Sequence, residues 1–167
     1  MTTYSVLKTM QLGDLLLTAT TTHLTGIYFA DCAHAPAIQD DWHLNSAHPI
    51  LQSAAEQLQE FLSDSRTTFT IPLRADGTEF QQEVWRQIAS IPFGQTITYS
   101  ELATRAGVPQ AIRAAGAATG KNPISIIVPC HRIIGKTGKL QGYAGGIDRK
   151  KELLGMELER TGALLGT

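Results

Sequence analysis

Cysteine is scarce in this chain. Only Cys32 and Cys130 occur among 167 residues, and no Cys-x-x-Cys pair is present. That excludes a disulfide-built scaffold and a zinc finger made by spacing; in a reducing compartment both thiols are free, and no metal is expected. Long apolar runs are also missing, since no stretch approaches the ~18 residues that span a bilayer. Met1-Thr2-Thr3-Tyr4 offers neither a basic nor an apolar leader, so the expected location is the cytoplasm, with no membrane partner. Neither sign of charge dominates: 14 basic and 15 acidic side chains give a formal net charge of −1. No internal repeat and no low-complexity tract is visible. What remains is the composition of an ordinary globular protein, 43% hydrophobic and 17% charged, long enough to bury one large core or two small ones without staples.

Charge becomes informative once the chain is divided. Residues 1–76 carry three basic and eight acidic side chains, a balance of −5, and residues 77–167 carry eleven and seven, a balance of +4. A basic second half suits a polyanionic partner. The patterning changes at the same place. Tyr4–Met10, Leu15–Thr21 and Leu24–Ala30 are strand-like runs separated by turn signals, which predicts an antiparallel meander. Residues 31–49 read as a long polar loop, in which Cys32, His34, His43 and His48 lie too irregularly to define a metal site. Leu51, Ala54, Ala55, Leu58, Phe61 and Leu62 recur at helical spacing, and Phe69–Leu73 is a short strand candidate. Arg74-Ala75-Asp76-Gly77 reads as the linker between a first domain, 1–76, and a second, 77–167.

The second half is expected to be mainly helical. Thr78 with Gln81, and Thr98 with Glu101, have the spacing of capping boxes. Gly107 sits where the second of these helices must stop. Pro109 opens a further helix from Gln110 to about Thr119, so two short helices joined by a glycine-containing turn form a helix-turn-helix. The second of the pair, Ala111 to Ala118, is almost all small residues, from which Arg113 alone projects. Ile124–Val128 is a buried-strand candidate, and a helix over roughly Asp148–Glu159 has Ile147, Leu154 and Leu158 on its packed face.

Between these elements lies Pro129-Cys130-His131-Arg132, with the only cysteine after residue 32 and the only histidine after residue 48. A thiolate is the reactive form of cysteine, and a neighbouring His or Arg favours it. In extended chain, consecutive side chains point to opposite faces, so a bridging water between Cys130 and His131 is plausible. A basic histidine needs an orienting partner. Glu152, Glu157 and Glu159 all qualify by position.

Taken in order, Phe80–Trp85, Ile91-Pro92-Phe93-Gly94, Tyr99–Ala103, Arg113–Gly116, Asn122-Pro123, Pro129–Ile134, Gly142–Gly146 and Arg149–Leu154 resemble the O6-alkylguanine-DNA alkyltransferases, over about Gly77 to Glu159. The resemblance implies an α+β fold, with a small N-terminal ribonuclease-H-like α/β domain followed by a mainly helical C-terminal domain with a helix-turn-helix. It implies direct-reversal repair of double-stranded DNA. An alkyl group leaves O6-alkylguanine, or O4-alkylthymine, for Cys130 in a single turnover without cofactor. His131 takes the thiol proton through a water, Glu157 orients His131, Asn122 braces the active-site turn, and Tyr99 donates to the departing base. Arg113 fills the gap left by a base flipped from the minor groove. Ala114, Ala115 and Gly116 permit close approach. Beside them, Lys121 and Arg132, with Lys136 and Lys139, can supply phosphate contacts, and each lysine equally suits a solvated surface position. Ile133 and Tyr143, Ala144, Gly145 and Gly146 line the base pocket. Ala144 replaces the serine of several relatives, which implies tolerance of larger alkyl groups. The chain is expected to act as a monomer, with cooperative binding along DNA left open.

Two other readings fit parts of the pattern. A transcriptional regulator would need base-reading side chains on the second helix of the pair, and Ala111–Ala118 offers only Arg113. A Cys–His hydrolase normally draws the two residues from separate segments, whereas here they are adjacent.

Overall fold

In the computed structural model, which describes residues 1–162, the chain divides into two compact units, Met1–Ala75 and Asp76–Thr167. The expected extent of the second domain reaches residues 163–167, which lie outside the described residues. The architecture is α+β, with the larger sheet in the first unit and most of the helices in the second.

The first unit forms because its strands alternate. β1 (Thr3–Thr9), β2 (Gly13–Ala19) and β3 (Leu24–Phe29) make the expected antiparallel meander, with β2 central. In β1 the buried residues are Thr3, Ser5 and Leu7, one face of a period-two strand. Helix α1 (Pro49–Leu62) lays Leu51, Ala54, Leu58, Phe61 and Leu62 against this sheet. Two features depart from the sequence reading. The long loop contains a two-residue strand, β4 (His43–Leu44), parallel to β1 at Thr3 and Tyr4, giving the order β3-β2-β1-β4. Trp42, just before it, is half-buried with its ring 6.2 Å from that of Tyr4. Phe69–Leu73 is not a ladder strand: only Leu73 bridges to Leu24. Pro72 has no N–H to give a ladder, and the Thr70 N–H is taken by the Gln57 side chain at 2.9 Å.

The second unit is built on α2 (Glu79–Ala89), α3 (Tyr99–Arg105), α4 (Ile112–Gly120) and α5 (Ile147–Arg160), with a two-stranded parallel pair, β5 (Ile97–Thr98) and β6 (Ile133–Ile134). Thr78 and Gln81 form both halves of a capping box. Thr98 accepts from the Glu101 N–H at 3.1 Å, but the Glu101 carboxylate turns to Arg105 at 2.9 Å, so the second box is half of what the spacing predicts. Gly107, at φ +79°, ends α3. Its N–H reaches the Thr104 carbonyl and that of Val108 reaches Ala103, the paired bonds of a Schellman stop. Helix α4 starts at Ile112, two residues later than expected, because Val108–Ala111 closes a turn of its own through a 2.8 Å bond. Helices α2, α3 and α4 pack on one another.

Ile124–Val128 is a tight turn, not a strand. Its ends are tied by the Val128 N–H to the Ile124 carbonyl at 3.0 Å, and Ile126 stands at φ +74°. A buried β-branched residue in that region is strained, and such residues gather at functional sites.

Candidate active site

The turn begins and ends on one side chain. Asn122, at the end of α4, accepts the Ile124 N–H through Oδ1 at 3.0 Å and donates through Nδ2 to the Val128 carbonyl at 2.9 Å. It spans the turn, which explains why a β-branched run folds back here. Nδ2 also lies 3.3 Å from the Cys130 Sγ as a donor. Residues Cys130–Arg132 then form a single 3-10 turn, so the extended geometry assumed for the Cys130-His131 pair does not hold.

Cys130 is 5% exposed and His131 fully buried. Of the three candidate glutamates, Glu152 and Glu159 are exposed and Glu157 is buried, with Oε2 2.5 Å from His131 Nε2. Glu157 is a hub. Its Oε1 accepts from Arg132 Nε at 2.8 Å and from the Gly94 N–H at 3.0 Å, and Oε2 accepts from Arg132 Nη2 at 3.2 Å. Burial alone would raise this carboxyl; the hydrogen bonds and charges of His131 and Arg132 outweigh it and hold it at about 2. The carboxylate therefore fixes the tautomer. His131 Nε2 carries the proton toward Glu157, and Nδ1, buried without a hydrogen-bond partner, keeps its lone pair. Burial pulls His131 downward against the pull of Glu157, with Arg132 and Lys150 adding to the drop, so the ring is neutral near pH 7.

The thiol departs from the expectation that adjacent charge favours its ionised form. Burial pushes Cys130 up; the Asn122 hydrogen bond and the charge of Lys150 pull the other way without cancelling it. The resting group is a thiol, and Lys150, not adjacent Arg132, is the cation that opposes burial. Arg132 is spent elsewhere. It is 6% exposed, bound to Glu157, donates to the Ile91 carbonyl at 2.7 Å and lies 5.7 Å over the Phe93 ring. Placing it on DNA phosphate is corrected: a guanidinium paired inside the core cannot reach a polyanion.

Tyr99 begins α3, half-buried, and donates its hydroxyl to the Gln141 carbonyl at 3.2 Å. Burial, then the nearby Cys130, raises it, so it keeps its proton. Tyr143 meets His131 edge-on at 6.4 Å. Burial raises it well above the usual phenol range. Ala144 is half-buried, Gly145 buried and Gly146 exposed, whereas Ile133 is fully buried in β6. Ile133 is thus a core residue, not an accessible pocket wall. On α4, Arg113 and Ala114 are exposed, as is Lys121 beyond its end; Lys136 and Lys139 are exposed on the following loop. Gly116 sits over the Tyr99 ring, 3.7 Å from where a Cβ would lie. Ala115 is fully buried, so its small size serves helix packing and not approach to a surface, a further correction.

Lys150 escaped the sequence reading. The buried face of α5 is Lys150, Leu153, Leu154 and Glu157, one residue set at i, i+3, i+4 and i+7, whereas Ile147 is exposed and Leu158 only half-buried. A lysine and a glutamate in the core positions of an amphipathic stripe were the available signal.

Comparison with known proteins follows the same two-part division. A family model described as "6-O-methylguanine DNA methyltransferase, ribonuclease-like domain" matches residues 2–75, and one described as "6-O-methylguanine DNA methyltransferase, DNA binding domain" matches residues 79–159. A methylated-DNA–protein-cysteine methyltransferase of Mycolicibacterium paratuberculosis is 42% identical over 154 residues, covering 92% of each chain. One from Methanosarcina barkeri is 41% identical over 146 residues, covering 87% of this chain and 91% of its own. A crystal structure of Mycobacterium tuberculosis OGT in complex with DNA superposes with a TM-score of 0.87 at 39% identity, covering 95% of this chain and 94% of that one.

Proposed function

The chain belongs to the 6-O-methylguanine DNA methyltransferase family, and from that premise we propose that it repairs alkylated double-stranded DNA by moving the alkyl group from guanine O6 to its own Cys130. The observation that carries this reading is the buried series Asn122–Cys130 and His131–Glu157. One 3-10 turn carries a shielded thiol and, next in the chain, a neutral imidazole whose unpartnered Nδ1 can take a proton.

The Cys130 proton passes through a water to His131 Nδ1, and Glu157 stabilises the imidazolium that forms. The thiolate attacks the alkyl carbon, a C–S bond forms and the C–O6 bond breaks. Guanine leaves with the electron pair and takes a proton, for which Tyr99 is the donor in reach of the site. A thioether has no route back to a thiol here, so each chain acts once. No cofactor enters this step.

DNA is the partner that fits the basic second unit. A base in a duplex has to be extruded before a buried thiol can reach it, at a cost of a few kcal/mol. Arg113, long and exposed on α4 with Ala114 and Gly116 beside it, is suited to fill the vacated stack from the minor groove. Helices α3 and α4 with residues 106–111 between them serve as the helix-turn-helix, and Lys121, Lys136 and Lys139 as phosphate contacts. Tyr143 to Gly146 line the base pocket, and Ala144 leaves room for groups larger than methyl. Reaction with free O6-benzylguanine tests that last point; inertness to it contradicts the roomy pocket. The transfer itself is tested with a duplex whose O6-methyl carbon is radiolabelled. Label is expected on the protein and absent from Cys130→Ser. Label remaining on DNA with the wild-type chain overturns the reading.

A further inference from the structure

Glu157 accepts hydrogen bonds from His131 Nε2, Arg132 Nε and Arg132 Nη2, all on the 3-10 turn that carries Cys130. A further donor comes from a different part of the chain, the Gly94 N–H, 3.0 Å from Oε1. Gly94 lies between α2 and β5, in a turn closed by the Gln95 N–H on the Pro92 carbonyl at 3.1 Å. It stands at φ +77°, and Phe93 before it has no positive φ, which is the pattern of a type II turn. Such a turn needs φ > 0 at its third residue, and the N–H of that residue takes no part in the bond that closes the turn. Here that N–H is given to the carboxylate. The same turn holds Arg132. The Ile91 carbonyl accepts from Arg132 Nη1 at 2.7 Å, and the Phe93 ring takes the guanidinium of Arg132 at 5.7 Å and that of Arg160, from the end of α5, at 4.6 Å. Gly94 has no room for a side chain. A Cβ would run into Thr161, the C-cap of α5, whose Oγ1 donates to the Glu157 carbonyl at 3.1 Å. Glycine is thus required twice, by the backbone angle and by the close approach.

We propose that Gly94 is a positioning residue for the alkyl transfer: the Ile91–Gln95 turn holds the Glu157 carboxylate so that Oε2 meets His131 Nε2, directly through the Gly94 N–H and indirectly through Arg132. The proposal rests on the reading of Cys130 as the nucleophile and His131 as its base. Its use lies in the proton step. His131 becomes an imidazolium when it takes the thiol proton, and Glu157 stabilises that charge only while the contact with Nε2 is kept. Two donors on Oε1, one from Arg132 and one from Gly94, oppose rotation of the carboxylate away from the ring. Donors on a carboxylate also favour its ionised form.

The test follows the His131 Nε2 proton by NMR, whose far-downfield resonance reports the short bond to Glu157. Beside it, the saturating single-turnover rate is measured on a duplex containing O6-methylguanine. In Gly94→Ala the resonance should move upfield or be lost to exchange. The saturating rate should fall by about tenfold while the duplex affinity stays at the wild-type value. Gly94→Ala/Thr161→Gly has room for the added Cβ and should recover part of both. Where Gly94→Ala does not fold, this double variant is read against Thr161→Gly, from which its resonance should still be displaced. Gly13→Ala supplies the control for backbone strain. Gly13 stands at φ +75° in the first unit, so its variant should melt at a lower temperature with resonance and rate as in the wild type. An unchanged resonance and rate in folded Gly94→Ala overturn the proposal and leave Gly94 a turn residue only. An equal loss of rate in Gly13→Ala also overturns it, since the effect is then one of stability. The resonance is recorded without DNA, so a wild-type chain that takes no methyl group from the duplex overturns the transfer reading separately.

Discussion

The two units bury different things. The first buries polar groups that are small and neutral, Thr3, Ser5, Thr18 and Gln57, and its core is otherwise aliphatic and aromatic. The second buries His131, Arg132, Lys150 and Glu157, all ionisable, around one thiol. Gln57 illustrates the first kind, with its amide donating to Ser53 and Thr70 and its carbonyl accepting the Thr70 N–H. Lys150 illustrates the second, with carbonyls for partners and no counter-ion. Burial without charge builds a scaffold cheaply. Burial with charge costs stability and sets protonation states, which is what the proposed proton transfer between Cys130 and His131 requires.

The sharpest way to expose the difference is Cys130→Ser, which should abolish methyl transfer while leaving duplex binding and thermal stability near the wild type. A gel-shift assay beside a transfer assay reads both. Next in size is Glu157→Gln. It leaves Arg132 buried without its counter-charge and should lower stability by about 3–5 kcal/mol in denaturant unfolding, with transfer slowed severely. Leu58→Ala in α1 should cost a similar ~2–5 kcal/mol for a different reason, a cavity in an apolar core. The two are told apart because Leu58→Ala molecules that remain folded should transfer at the wild-type rate in a single-turnover assay.

Acid should separate the units without mutation. The Glu157 carboxyl is held at about 2, below the ordinary range, so its stabilisation is complete above about pH 4.5 and drains away as pH falls toward 2. The first unit has no buried carboxylate among the described residues. Each unit holds one tryptophan, Trp42 and Trp85, so fluorescence of Trp42→Phe and Trp85→Phe reads them individually. The Trp85 signal should report unfolding first as the solution is acidified, and simultaneous loss contradicts the contrast. Smaller again, Arg113→Ala should weaken duplex binding by about five- to tenfold with unchanged melting temperature, because its side chain is exposed. Thr78→Ala should cost about 1 kcal/mol through the lost cap and change transfer little.

Periodicity and local caps were readable from the residues: the meander, α1, the Thr78–Gln81 box and the Gly107 stop all follow from them. The failures are of one kind. Ile124–Val128 has strand composition, but the Asn122 side chain ties its two ends together, and no local propensity reveals that. Phe69–Leu73 likewise has strand composition, but Pro72 and the Gln57 bond to Thr70 break its ladder. In the site, the Cys130-His131 pair stood out by rarity and adjacency. Arg132 was not, because whether an arginine meets solvent or a carboxylate 25 residues away depends on the tertiary fold. Ala115 misled for the same reason, since small residues suit either a packed or an approaching face.

The most direct measurement is the intact mass of the chain after incubation with an excess of duplex containing O6-methylguanine. The expected result is a gain of one methyl group per chain, mapped to the peptide holding Cys130 and unchanged by longer incubation. No gain with the duplex still bound, a methyl group on another residue, or repeated turnover without a gain would each contradict transfer to Cys130.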